Sequence, residues 1–232
     1  MDKSGEETMR RATISVCCLL MLPIALTTAA FSKDQKAQKP AAVERVKPAL
    51  KVGTTLDNLQ TAYWGETHET LLYGEFAQKA DEEGYSQVAS MFRAVARAEA
   101  IHAAQKEVLI RQMGGIPASD ATSDHSLVGT TAENVNYAVE AESYENDTMY
   151  PQFIERAEAE KNTAVVKALK LCMASEPGHR LLFQQILDGI DGYKGGSVEL
   201  QVCPGCGSTS RVLRGDVCLI CSTPKSKFEK VK

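Results

Sequence analysis

The chain is poor in the features that assign function fastest. Aromatic residues make up 6% of its 232 residues, and Trp occurs once. Basic residues do not exceed acidic ones. The formal net charge is −4, which leaves no cationic footprint for phosphates and argues against a nucleic-acid partner. The apolar run at the N-terminus, Ala12–Ala30, is short for a membrane span and is broken by Pro23. Histidine is scarce too, with four in all. At this length the chain can bury one substantial core and carry one small module besides.

The flanks of the apolar run mark a targeting segment. Met1–Arg11 is polar and closes on Arg10-Arg11, and the small residues Thr28, Ala29 and Ala30 offer a cleavage site before Phe31. Residues 1–30 therefore read as a signal peptide and the mature protein as exported, to a periplasm. The route is either twin-arginine or general secretory. Arg10-Arg11 argues for the first, while Ala12-Thr13-Ile14-Ser15 departs from its usual pattern. Membrane attachment follows only if this segment is kept as an anchor. Residues 31–54, with Pro40 and Pro48, read as a polar linker with little to bury.

The middle of the chain is rich in Ala, Glu, Gln and Lys, which favours helix. A first helix is expected from Thr55, acting as its cap, to Glu83, with Gly84 as the stop. A second runs from Ser86 to Met113 and stops at Gly114-Gly115. So short a turn between long helices makes them antiparallel. Residues 116–131 are polar and long enough to cross the length of a bundle, and Thr130-x-x-Glu133 opens a third helix as a capping box. That helix is expected to kink at Pro151 and end near Lys161, with a fourth from Asn162 to Ile190. The expected fold is all-α, an antiparallel four-helix bundle over residues 55–192.

Chemistry sits on these helices as a repeat. Glu99-Ala-Ile-His102 and Glu176-Pro-Gly-His179 each place a carboxylate and an imidazole three residues apart, on one helix face. Glu66 precedes the first motif and Glu142 the second, with Glu145 one turn further on. Tyr73 precedes Glu99 by 26 residues, and Tyr150 precedes Glu176 by the same 26; a carboxylate stands seven or eight residues before each tyrosine. Two helix pairs so matched would build a pseudo-two-fold dinuclear site. Five carboxylates and two histidines exceed what one zinc takes and suit two irons or two manganese ions. Buried without a metal, that much charge would be costly. Pro177-Gly178 inside the second motif disfavours a regular helix interior, so a local kink is expected there and the placement of His179 relative to Glu176 is open. His68, two residues from Glu66, faces away from it. His125 lies in the crossover and is expected to be solvated.

The C-terminal segment carries Cys203-Pro-Gly-Cys206 and Cys218-Leu-Ile-Cys221, two knuckles that together offer four thiolates to one tetrahedral ion. Residues 197–230 are too few to fold on a core alone, so a bound ion supplies the missing stability. Iron and zinc both accept this ligand set, and two disulfides are the alternative for an exported chain. Cys172 sits on an apolar helix face as core. Lys225, Lys227, Lys230 and Lys232 read as a solvated tail.

These motifs, together with Trp64-Gly65-Glu66, Glu142-Ser-Tyr-Glu145 and Met149-Tyr150-Pro151, resemble the rubrerythrins over residues 55–228. The resemblance implies a ferritin-like bundle followed by a rubredoxin-like four-cysteine domain, acting as a non-haem di-iron peroxidase. It implies two bundle irons bridged by Glu99 and Glu176, with Glu66 a terminal ligand of one. Glu145 and His102 would exchange at an iron as its redox state changes, and Glu142 and His179 would serve the other. Tyr73 and Tyr150 would hydrogen-bond ligand carboxylates. Hydrogen peroxide would be the substrate. A third iron at Cys203, Cys206, Cys218 and Cys221 would relay electrons from an external donor, and relay between subunits implies a homodimer. Leu219-Ile220 stands where that family usually carries a proline, which keeps zinc open at this site. Two rival functions are a ferritin-like protein that oxidises and stores iron, and a non-catalytic metal-binding protein with a zinc ribbon.

Overall fold

The structure, a computed structural model, describes residues 50–118 and 121–232. The signal segment, and the linker as far as residue 49, lie outside the described residues. The end of that linker does have something to bury, since Leu50 and Val52 pack on the bundle core. Among the described residues no helix is long and apolar enough to cross a membrane.

Helix α1 spans Thr55–Glu82 and α2 spans Ser86–Gln112. The cap of α1 is Thr54, not Thr55: its hydroxyl accepts from the Asp57 N–H, and the Asp57 carboxylate accepts from the Thr54 N–H. A side chain three residues on completes the capping box, which Thr55 would lack. Gly84, at φ 81°, makes the turn into α2 in a conformation that costs glycine nothing. Helix α3, Thr131–Tyr144, opens on the expected capping box at Thr130 and Glu133.

The third helix departs from α geometry before Pro151, not at it. Residues Glu145–Met149 form a π-turn, in which the Tyr150 N–H donates to the Glu145 carbonyl, and α4 follows over Tyr150–Ala159. Pro151 falls in the first turn of α4, where its missing N–H costs least. A π-turn inserts one residue without ending the helix. That residue is the difference between the seven-residue Glu66-to-Tyr73 and eight-residue Glu142-to-Tyr150 spacings.

The fourth helix is two. Helix α5 is Thr163–Met173, capped by the Asn162 side chain, and α6 is Glu176–Asp188. The break at Ala174 and Ser175 puts Pro177 in the first turn of α6, so the irregularity falls before the second motif and not inside it. Glu176 and His179 keep a common face, and both are fully buried.

The core lies in two clusters. One gathers Tyr73, Phe76, Phe92 and Phe183, the other Leu59, Ile110, Tyr150, Phe153 and Leu169. The Phe92 ring lies 4.9–5.8 Å from those of Phe183, Phe76 and Tyr73. Phe92→Ala would open a cavity among rings that cannot collapse onto one another, and is expected to cost about 3–5 kcal/mol in urea unfolding. A loss under ~1 kcal/mol would show the cluster repacks.

The C-terminal module is a three-stranded antiparallel sheet of order β2-β1-β3, formed by β1 Leu200–Val202, β2 Thr209–Ser210 and β3 Glu229–Val231. The strand at 229–231 runs one residue past the expected end of the domain. Lys230 belongs to it and pairs with Glu199 at 3.0 Å, so it is no free tail. Leu200 and Val202 join the bundle core, and Arg97 of α2 donates twice to Glu229 of β3, at 2.6 and 2.8 Å.

Candidate metal centre

Two side-chain clusters with metal-binding geometry stand close together. In the first, Glu66, Glu99, His102, Glu142, Glu145 and Glu176 come from α1, α2, α3, the π-turn and the start of α6, and His179 from one turn into α6. All seven are buried. Ligand atoms of Glu99, Glu142, Glu176 and His179 lie within 4.8 Å of one another, as do those of Glu66, Glu99 and His102.

The atoms divide evenly between the two imidazoles. Glu99 turns Oε2 to His102 Nδ1 at 2.8 Å and Oε1 to His179 Nδ1 at 3.2 Å. Glu176 does the reverse, with Oε1 3.4 Å from His102 Nδ1 and Oε2 2.9 Å from His179 Nδ1. Glu66 Oε2 approaches only His102, at 3.2 Å, and Glu142 Oε2 only His179, at 3.4 Å. Two carboxylates therefore span the halves and one caps each. The Tyr73 hydroxyl donates to Glu142 Oε1 at 2.9 Å, and the Tyr150 hydroxyl to Glu66 Oε1. Each tyrosine thus orients the carboxylate of the other half.

The inner atoms are short of partners. Glu99 Oε1, Glu142 Oε2, both Glu176 oxygens, Glu145 Oε2 and His179 Nδ1 are buried and make no hydrogen bond. Several oxygens crowded on one nitrogen without bonding it is a shell for cations, and the oxygen- and imidazole-rich set fits two hard or borderline divalent ions. The outer nitrogens confirm the orientation. His102 Nε2 meets the Cys206 carbonyl at 3.0 Å and His179 Nε2 the Gly207 carbonyl at 3.1 Å. An Nε2–H that donates to a carbonyl leaves Nδ1 facing inward, where Glu99 and Glu66 bond it at His102 and where it can bind a metal once its proton has left.

Charge on the metal-free cluster follows from this crowding. Burial and the Glu99 carboxylate push Glu142 up to about 8. Glu145 and Glu176 are raised as well, by burial first; the charge of Glu69 adds to it at Glu145, whereas at Glu176 burial prevails against the opposing pull of His102, with Glu99 adding to the rise. Burial alone would lower both histidines, but the surrounding negative charge holds them well above the ordinary range: Cys172 and three carboxylates at His102, three carboxylates at His179. Glu99 is held low, since the two imidazoles outweigh its burial.

Sequence reasoning missed two members. Glu69 offers an oxygen to a third group with Glu99 and Glu145. The signal was available: Glu66-x-x-Glu69 mirrors Glu142-x-x-Glu145. The other is Lys106, 1% exposed, with Nζ 2.7 Å from Glu66 Oε1 and 2.9 Å from the Tyr150 hydroxyl. The signal was its register: four residues after His102 and seven after Glu99, Lys106 falls on the inward face of α2. His68 does face away from the cluster, but it is buried, stacked on Trp64 and bonded to the Thr122 carbonyl at 2.8 Å. His125 is exposed, as expected, and pairs with Glu75.

In the second cluster all four cysteine thiols converge, within 4.8 Å of one another. Cys203 and Cys221 sulfurs are 3.4 Å apart and those of Cys206 and Cys218 3.6 Å. That is far beyond a disulfide bond of about 2.05 Å and close to the roughly 3.8 Å edge of a tetrahedron with bonds of about 2.3 Å. The disulfide reading therefore falls, and all four are free. The knuckles are alike: the Gly207 N–H donates to the Cys203 carbonyl and the Ser222 N–H to the Cys218 carbonyl, each at 2.9 Å. Burial raises the Cys203 and Cys206 thiols, while Thr223 draws Cys221 down to about 7 against its burial. Gly207, at φ 75°, must be glycine for a second reason, because a Cβ there would collide with the His102 ring.

A ferritin-like bundle with a dinuclear carboxylate–histidine cluster and a rubredoxin-like four-cysteine module defines a class of non-haem iron proteins. The rubrerythrin family model matches residues 57–187. Nigerythrin of Nitratidesulfovibrio vulgaris is 33% identical over 180 residues, covering 76% of this chain and 86% of its own. Rubrerythrin of Porphyromonas gingivalis is 29% identical over 189 residues, 79% of this chain and 93% of that one. A mixed-valence structure of nigerythrin superposes with a TM-score of 0.71 at 30% identity, over 84% of this chain and 98% of the other. The chain belongs to the rubrerythrin family, whose members are oxidoreductases with a di-iron bundle and a four-cysteine iron site.

Proposed function

We propose that the protein is an exported peroxidase that reduces hydrogen peroxide to two waters with two electrons and two protons. Two irons in the bundle would supply the electron pair, and a third at the four cysteines would restore it from an external donor. Glu99 and Glu176 would bridge the irons, Glu66 and His102 would complete one side, and Glu142 and His179 the other. Glu145 opens the one turn of its helix with π spacing, a departure from α geometry frequent at functional sites, and would be the carboxylate that approaches or leaves a metal. Burial and the neighbouring carboxylates favour its protonated form when no metal holds it, so off the metal it would be a proton donor inside the cluster. Tyr73 and Tyr150 hold Glu142 and Glu66 in place from behind.

The observation that carries this reading is the seat of the first cysteine knuckle. The Cys206 and Gly207 carbonyls touch the outer nitrogens of both imidazoles, so a one-electron thiolate site is joined to each half of the dinuclear cluster by one hydrogen bond. An iron store needs no such link. A homodimer stays part of the reading as what the family resemblance implies; the contact that carries the relay joins module and bundle of one chain. Export to the periplasm, by either route, is part of it.

The test is to count iron and zinc in the purified protein, reduce it, and follow the visible spectrum as stoichiometric peroxide is added. One equivalent of peroxide is expected to oxidise both bundle irons, and slower oxidation by oxygen separates a peroxidase from a ferroxidase. Bundle iron that stays ferrous in peroxide sinks the reading. Glu145→Gln is expected to slow turnover about 100-fold with both metals retained, the size of a lost proton-transfer group; unchanged turnover would remove Glu145 from the mechanism.

A further inference from the structure

The two halves of the cluster repeat closely in sequence, and one of the buried differences between them is a difference of charge. Four residues after His102 stands Lys106; four residues after His179 stands Phe183. Both side chains are buried, at 1% and 0% exposure. Each sits behind the tyrosine–carboxylate pair of its half. Phe183 packs on Tyr73, ring to ring at 5.7 Å, so the Tyr73–Glu142 pair is backed by hydrocarbon. Lys106 places its ammonium on Tyr150 and Glu66 Oε1, so the Tyr150–Glu66 pair is backed by a full positive charge. Cys172 Sγ, at 3.6 Å, is the remaining neighbour of Nζ.

We propose that Lys106 makes the halves unequal metal sites, so that the Glu142–His179 half fills first and the Glu66–His102 half second, with lower affinity. The ammonium bonds one oxygen of Glu66 and withdraws electron density from the other, Oε2, which is the one beside His102. It also repels a divalent ion directly, in an interior where charges are weakly screened. Glu142 receives only a neutral hydroxyl on its outer oxygen, so no fixed cation there competes with a metal for its inner one. An asymmetric pair is a functional asset, because one ion stays anchored while its neighbour changes ligands. Lys106 is a positioning residue: it acts on the metal through Glu66. The inference rests on the bundle binding two metals, not on peroxide as substrate.

The test is a Co(II) titration of the metal-free full chain. Thiolate-to-cobalt charge-transfer absorption reports the four-cysteine site separately from the weaker bands of the bundle. Two bundle equivalents are expected in distinct steps, with affinities at least about tenfold apart, the effect of one added charge at an intermediate dielectric. His179→Ala should abolish the tighter step and His102→Ala the weaker. Lys106→Met should raise the weaker affinity toward the tighter one, while Lys106→Arg preserves the gap. Equal steps in the unaltered chain would overturn the proposal, as would loss of the tighter step in His102→Ala. So would a Lys106→Met protein, folded by circular dichroism, that keeps the gap. If Lys106→Met fails to fold, the unaltered chain and the two histidine variants decide the filling order, and Lys106→Gln decides the charge. Stepwise loading in a protein inert to peroxide would end the peroxidase reading and leave this one standing.

Discussion

Glu99→Ala is expected to strip both metals from the bundle and abolish peroxide turnover, while the four-cysteine site stays filled. Glu99 is the one carboxylate on α2 that gives an oxygen to each imidazole, at 2.8 and 3.2 Å, so its removal takes a ligand from both halves together. Substituting a residue outside a metal's immediate ligands typically costs 10- to 100-fold in affinity, and losing a shared ligand is expected to exceed about 100-fold at each position. Glu142→Ala is the contrast: its inner oxygen approaches His179 alone, so one metal should remain. Metal analysis after gel filtration distinguishes the two. A Glu99→Ala protein that retains two bundle metals at the original affinity would show that Glu99 bridges nothing.

The metal-free protein is expected to lose stability as pH rises from about 5 to 8, and metal should reverse the trend. The folded state holds the Glu142 proton up to about 8, whereas the unfolded chain releases it near 4.5. Between those values the native state binds the extra proton, so stability falls with rising pH, by about 1.4 kcal/mol per unit for each such group. His102 and His179, raised well above 6.5, act with the same sign: their stabilisation is complete below 6.5 and is lost as pH rises through their folded values. Glu99 is depressed, so its contribution is lost only on acidification below 4.5, outside this window. Several kcal/mol are at stake. Metal uptake must expel these protons, so its affinity climbs over the range in which the empty fold weakens. Thermal unfolding with and without metal checks both slopes, and Glu142→Gln should flatten the metal-free one. A metal-free Tm that rises from pH 5 to 8 would show that the cluster is not crowded with charge in solution.

Much of this centre was legible in the sequence because the evidence is local. Glu-x-x-His puts two side chains on one helix face wherever the helix goes, and Cys-x-x-Cys closes a knuckle on itself. The matched tyrosine spacings made the second half-site predictable from the first. Pro177 misled, because a proline reads as damage inside a long helix and as a good first turn in a new one. Only the break at Ala174–Ser175 separates those cases, and nothing in the residues before it announces that break. The eight-residue spacing to Tyr150 was visible and uninterpreted until the π-turn supplied its extra residue.

By itself the sequence determined the bundle, seven carboxylate and imidazole members of its cluster and the four-cysteine module, since periodicity and motif spacing act over one or two helical turns. Tertiary structure alone decided how the ligands are shared: which oxygen of Glu99 faces which imidazole, that each tyrosine serves the opposite half, and that the Cys206–Gly207 turn sits on both histidines. It alone also buried Lys106, whose partners Glu66, Tyr150 and Cys172 lie 40, 44 and 66 residues away along the chain. A lysine on a helix is ordinarily solvated. Its register, four residues after His102, put it on the inward face of α2; whether a lysine can be held there depends on negative charge arriving from other helices, which the local pattern does not carry.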